Sequence, residues 1–98
     1  MSRLTSDDDI RARLQTLPEW RRDGAAIARD FTFAGFPEAV AFVSRLVGPA
    51  EAADHHPDLE IHYNRVTVRY STHSEGGLTA LDFAGAAAAD AAARPPAQ

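Results

Sequence analysis

The chain has 98 residues, a formal net charge of -4, a pI near 5.4 and no cysteine. That length suits one domain whose core buries roughly two-thirds of the unfolded surface, and the lack of thiols removes disulfides, thiolate nucleophiles and thiolate ligands. The ten Lys and Arg are scattered rather than gathered in a basic stripe, which argues against direct binding of DNA or RNA. No apolar run approaches the roughly 20 residues of a membrane span. Met1-Ser2-Arg3-Leu4-Thr5 leads into an acidic segment instead of an apolar signal core. The expectation is a cytoplasmic protein with no membrane contact.

In chain order, Ser6 with Asp9 three residues on, in a turn made acidic by Asp7 and Asp8, starts a short helix. Ile10, Leu14 and Leu17 share one face of it, and Pro18 stops the pattern. Trp20-Arg21-Arg22, a turn at Asp23-Gly24 and a strand carrying Ile27, Phe31 and Phe33 on one side make a first hairpin. Phe36-Pro37-Glu38 opens a longer helix with Val40, Val43 and Val47 as its apolar stripe. Gly48-Pro49 either kinks this helix or splits it before a last turn from Ala50 to Asp54.

After Asp54-His55-His56-Pro57, the residues Leu59, Ile61 and Tyr63, then Val66, Val68 and Tyr70, alternate with polar ones, the period of two of half-buried strands. A two-residue turn at Asn64-Arg65 sets Tyr63 against Val66, Ile61 against Val68 and Leu59 against Tyr70. The same register puts Glu60 against Arg69 and His62 against Thr67 on the polar face, and His56 opposite His73 at the open end. Three of the four histidines then converge. Gly76-Gly77 forms a loop, and Thr79 with Asp82 caps a last helix over a Leu78–Phe83 staple. The Ala84–Ala93 part of this helix rests on alanine propensity and close packing. The order α-β-β-α-β-β-α predicts an α+β two-layer sandwich: one four-stranded antiparallel sheet with three helices on one face. Residues 1–93 form the domain and 94–98 a disordered tail.

The histidine cluster admits other uses. Three histidines and a carboxylate resemble a zinc set, but adjacent His55 and His56 point to opposite sides of a strand and no helical His pair exists, so the expectation is no metal. His55-His56-Pro57 is also a common way to end a helix. His62 reads as a solvated residue, and Trp20 as a core residue or a rim of the site.

From about Leu17 to about Asp90 the chain resembles the pterin-4a-carbinolamine dehydratases. The match lies in Glu51 three residues before Asp54-His55-His56-Pro57, in Tyr63-Asn64, in Ser71-Thr72-His73 and in Gly77-Leu78-Thr79 with Asp82. Leu17-Pro18 with Trp20, and Phe31-Thr32-Phe33 leading to Phe36, Glu38 and Ala39, extend it. Glu19 departs from the family pattern, where a glycine often precedes the tryptophan; so do Gly48-Pro49 and the alanine-rich last helix.

The resemblance implies dehydration of a 4a-hydroxytetrahydropterin to the quinonoid dihydropterin, without metal or organic cofactor. Losing the hydroxyl as water needs one proton delivered to oxygen and one removed from a ring nitrogen, and imidazole can do either near neutral pH. The resemblance makes His55, His56 and His73 the catalytic set, with His55 and His73 moving protons and His56 holding the substrate. Glu51 either recognises the pterin's N–H edge or fixes a histidine tautomer. Asp54, Pro57, Ser71, Thr72 and, at the rim, Trp20 are the substrate-binding candidates. The family also implies a homodimer or homotetramer. A second class of role follows from it, a partner-binding protein such as a transcription-factor dimerisation cofactor or a Rubisco assembly factor; the intact histidine set favours the enzyme.

Overall fold

The computed structural model describes residues 6–94. Helix α1 (Asp7–Leu14) starts at Ser6, whose hydroxyl accepts from the N–H groups of Asp8 and Asp9, with three aspartates in the first turn. Its apolar side delivers Ile10 to the core, followed by Leu17 from the turn beyond. Strands β1 (Arg21–Asp23) and β2 (Ala26–Thr32) form the first hairpin, with Asp23 paired to Ala26. The turn is therefore Gly24-Ala25, one residue later than Asp23-Gly24, because Gly24 supplies the φ of +62° that the reversal needs.

Helix α2 (Phe36–Ala53) runs unbroken through Gly48-Pro49. Both residues are exposed, on a side where water can satisfy the carbonyl that proline leaves unpaired. The apolar stripe differs from the expected one. Ala39, Phe42, Leu46 and Ala50 are buried, Val43 is half-buried, and Val40 and Val47 are exposed. This helix is apolar around much of its circumference, and the larger Phe42 and Leu46 side chains take the core.

Strands β3 (Asp58–His62) and β4 (Arg65–Tyr70) complete a four-stranded antiparallel sheet of order β1-β2-β4-β3, followed by a short 3₁₀ turn (His73–Glu75) and helix α3 (Ala80–Ala93). The predicted α+β architecture, α-β-β-α-β-β-α, is the one observed. Ile27 and Phe31 of β2 lie opposite Tyr70 and Val66 of β4, and together with Val68 they form the sheet's contribution to the core. Across it sit Phe42 and Leu46 of α2 and Phe83, Ala86 and Ala89 of α3. Thr79 and Asp82 make the expected capping box, with Leu78 and Phe83 buried beside it. Residues 95–98, most of the expected tail, lie outside the described residues; Arg94 ends α3.

The second hairpin turns at Tyr63-Asn64, not Asn64-Arg65, and Tyr63 takes a left-handed φ of +55°. Ile61 accordingly pairs with Val66, Leu59 with Val68, Glu60 with Thr67 and His62 with Arg65. This two-residue slide keeps every side chain on its expected face, so alternation alone could not tell the two registers apart. Arg69 turns to Asp23 at 2.8 Å, with Glu60 diagonal at 3.9 Å. The ladder ends at Asp58–Arg69, so His56 and His73 are not a cross-strand pair. As an edge strand beside the helix layer, β3 leaves Leu59 and Ile61 exposed rather than half-buried.

Candidate active site

Asp54 turns the chain at the end of α2. It holds the left-handed C-cap position at φ +49°, a conformation that Asp and Asn tolerate better than bulkier residues. The N–H of His55 then returns to the Ala50 carbonyl, in the manner of a helix-terminating motif. The next two side chains leave in different directions; they do so from the turn that precedes β3, not from a strand as the sequence reading expected.

His55 turns inward, with only 11% of its side chain exposed. Its Nε2 lies 2.6 Å from Oδ1 of Asp82, which is fully buried. Oδ2 of the same carboxylate accepts the Thr79 N–H at 2.9 Å and the Thr72 hydroxyl at 2.8 Å. The Thr72 and Thr79 hydroxyls are 2.8 Å apart, and the Thr79 oxygen accepts the Leu81 N–H. One carboxylate thus caps α3, anchors His55 and grips the strand end that carries Ser71, Thr72 and His73. No buried side-chain nitrogen or oxygen among the described residues lacks a partner, which suits a polar network set inside a core.

The His55 ring stacks on Tyr70, centroids 6.0 Å apart and planes 21° apart. Burial, and then the Asp82 charge, push the Tyr70 phenol up to about 12, so it stays neutral. Tyr70 in turn lies flat against α3 at Gly85. A Cβ there would stand 2.5 Å from the Tyr70 ring.

His56 turns outward to Glu51, Nε2 to Oε2 2.6 Å, with both side chains largely exposed. His73 opens the 3₁₀ turn, its Nε2 3.3 Å from the Ser71 hydroxyl. The three histidines line three different concavities. His73, Ser71, Thr72, Asp58 and Arg69 border one of about 340 Å³. His56, Glu51, Pro57, Val43 and Leu59 border one of about 280 Å³. His55, Tyr70, Pro49, Leu81 and Gly85 border one of about 80 Å³ between α2 and α3. The His55–Asp58 segment contributes to all three. Among the described residues no group of three or more His, Asp or Glu side chains could hold a metal ion.

Trp20 is not brought to the histidines. It is buried, its N–H bonded to Asp90 at 2.9 Å and its ring against Phe31 and Tyr70. Among the described residues no helix is long and apolar enough to cross a membrane. Asp82 and Tyr70 are the site residues that the sequence left unassigned. In the sequence Asp82 reads as a helix cap and a residue of the family match with no role in the site, and Tyr70 as an inward strand residue.

The model of the pterin 4 alpha carbinolamine dehydratase family matches residues 3–92. A protein of Picosynechococcus sp., provisionally named pterin-4-alpha-carbinolamine dehydratase, is 56% identical over 82 residues, 84% of this chain and 88% of its own. A provisionally named dehydratase of Chloroflexus aurantiacus is 49% identical over 90 residues, 92% of this chain and 96% of its own. A crystal structure from Brucella melitensis, described as a transcriptional coactivator/pterin dehydratase, superposes with a TM-score of 0.89 at 37% identity, covering 95% of this chain and all of that one. A pterin dehydratase-like protein described as a RuBisCO assembly factor in the alpha-carboxysome shares the fold, with a TM-score of 0.65 at 24% identity over 76% of this chain and 89% of its own. With a family model spanning nearly its whole length and relatives this similar, the chain belongs to the pterin 4 alpha carbinolamine dehydratase family.

Proposed function

We propose that this protein dehydrates a 4a-hydroxytetrahydropterin, such as 4a-hydroxytetrahydrobiopterin, to the quinonoid dihydropterin in tetrahydropterin recycling, using histidines as acid and base without metal or organic cofactor. The C4a–O bond breaks as the hydroxyl takes a proton and leaves as water, and a ring nitrogen gives up a proton as the C=N bond of the quinonoid product forms. The observation that carries this reading is the buried Asp82 carboxylate held against His55 in a chain that also keeps His56 and His73. A carboxylate on one ring nitrogen gives a proton-transfer histidine an orientation and a defined tautomer.

The proposed seat of the pterin is the His55–Asp58 segment, a reading supported by that segment's contribution to all three concavities. His55 and His73 move the protons. His56, tied to Glu51, holds and polarises the substrate, so Glu51 acts here on a histidine. Asp54, Pro57, Ser71 and Thr72 complete the binding set; Trp20 is left out because it is buried in the core. The protein works as a cytoplasmic homo-oligomer. The exposed Phe36, Val40 and Val47 of α2 with Leu59 and Ile61 of β3 support self-association.

A second reading, a partner-binding protein, draws support from the description of the Brucella melitensis structure as a coactivator as well as a dehydratase. Activity separates the two. Stopped-flow absorbance on 4a-hydroxytetrahydropterin should show turnover by this protein that dialysis against EDTA leaves unchanged. No turnover would reject the dehydratase, and loss on chelation with recovery on zinc would reject the metal-free mechanism.

A further inference from the structure

We infer that Asp82 is a positioning residue that holds neutral His55 in the Nε2–H tautomer, so that Nδ1 is the nitrogen that takes and gives the proton. The kinetic consequence rests on the dehydratase reading above; the tautomer does not. The two hydrogen bonds on Oδ2 of Asp82 have a fixed direction. The Thr79 N–H on Oδ2 is a backbone group and can only donate. The Thr72 hydroxyl gives its one proton to Oδ2, so in the Thr72–Thr79 contact Thr79 donates to Thr72, and the Thr79 oxygen also receives the Leu81 N–H. Oδ1 has one partner, His55 Nε2 at 2.6 Å. Imidazole is the stronger base of the pair, so the shared proton belongs to Nε2. Nδ1 is then a lone pair in the neutral ring and a donor in the cation, able to serve as base or acid. Stacking on Tyr70 keeps the ring plane in place. Since Thr72 precedes His73, the same carboxylate also fixes the strand end from which the second proton-transfer histidine departs.

A mere helix cap would leave the tautomer of His55 untouched, and Asp82→Asn tells the two apart. In this isosteric variant the amide oxygen has to sit where Oδ2 was, because the Thr79 N–H and Thr72 hydroxyl both donate there. The amide NH₂ then faces His55 and donates to Nε2, which drives the ring proton to Nδ1. The experiment is nitrogen-15 NMR of histidine-labelled protein, with His55→Gln assigning the resonance, beside stopped-flow kinetics. The wild type should show neutral His55 protonated on Nε2. Asp82→Asn should show it protonated on Nδ1, with kcat lowered at least about tenfold and KM changed less. An Nδ1–H tautomer in the wild type overturns the inference and needs no variant to fold. A folded Asp82→Asn with the inverted tautomer and near wild-type kcat overturns the assignment of Nδ1 as the reacting atom. Wild-type turnover is measured first: its absence sinks the dehydratase reading, while the tautomer still decides the role of Asp82.

Discussion

Residue by residue, the two histidines that follow Asp54 have different surroundings, and the difference predicts different kinetics. His55 is packed between Asp82 and Tyr70, whereas His56 and Glu51 stand at the surface. His56→Ala should therefore raise KM more than it lowers kcat, because a group that holds substrate contributes equally to ground and transition states. His62→Ala should alter neither, since His62 is exposed at the end of β3, 3.7 Å from Glu60 and outside the lining of the three histidine concavities described above. Steady-state kinetics of the two variants checks both outcomes. Tyr70 adds a pH dependence. Its pKa rises from 10.0 to about 12 in the folded state, through burial first and the Asp82 charge second. The folded state thus keeps a proton that the unfolded chain releases first, so full stability holds below about pH 10 and declines towards pH 12. Tyr63→Phe leaves Tyr70 as the sole tyrosine, and its phenolate absorbance should appear only near pH 12, together with the loss of urea resistance. The histidines, their motif and Asp54 were legible as sequence. The second use of Asp82 was not, because a capping box looks the same whether or not a distant histidine borrows its other oxygen.

At the scale of elements, sequence patterns set faces better than they set registers. Alternation from Leu59 to Tyr70 identified both strands and their inward residues, yet the turn fell one residue early because Tyr63 accepts a left-handed backbone. A slide of two residues leaves the apolar pattern unchanged, so only turn geometry could decide it. In α2, valines and larger apolar residues occupy overlapping faces, and periodicity did not choose between them. The alanine-rich α3 has a clearer logic. Ala86 and Ala89 are fully buried, and Gly85 gives the Tyr70 ring its place against the helix. Gly85→Ala should gain roughly 1 kcal/mol of helix propensity but lose about 3 kcal/mol to overpacking, since a contact at 2.5 Å is at the severe end. The expected net loss is about 2 kcal/mol by urea denaturation, with kcat lowered as well because Tyr70 supports His55.

For the molecule as a whole, one sheet with helices on one face leaves an apolar surface along α2 and the edge strand β3, including Val47 at 58% and Ile61 at 40% exposure. A monomer would leave this surface wet beside an unpaired strand edge. Sedimentation at micromolar concentration should show at least a dimer of the 10.6 kDa chain, and a lone monomer would contradict it. On the proposed function His55 and His73 move the protons of the dehydration; Asp82 holds the His55 ring directly and, through the Thr72 hydroxyl, the chain next to His73. A positioned acid or base is worth about 10²- to 10⁴-fold, so His55→Ala and His73→Ala should each lower kcat at least about tenfold. The most direct measurement is stopped-flow dehydration of 4a-hydroxytetrahydropterin by the double variant His55→Ala/His73→Ala, its folding checked by circular dichroism. The double variant should fold and show kcat at least about 10²-fold below wild type; a folded double variant turning over at near the wild-type rate would rule out His55 and His73 as the proton-transfer pair.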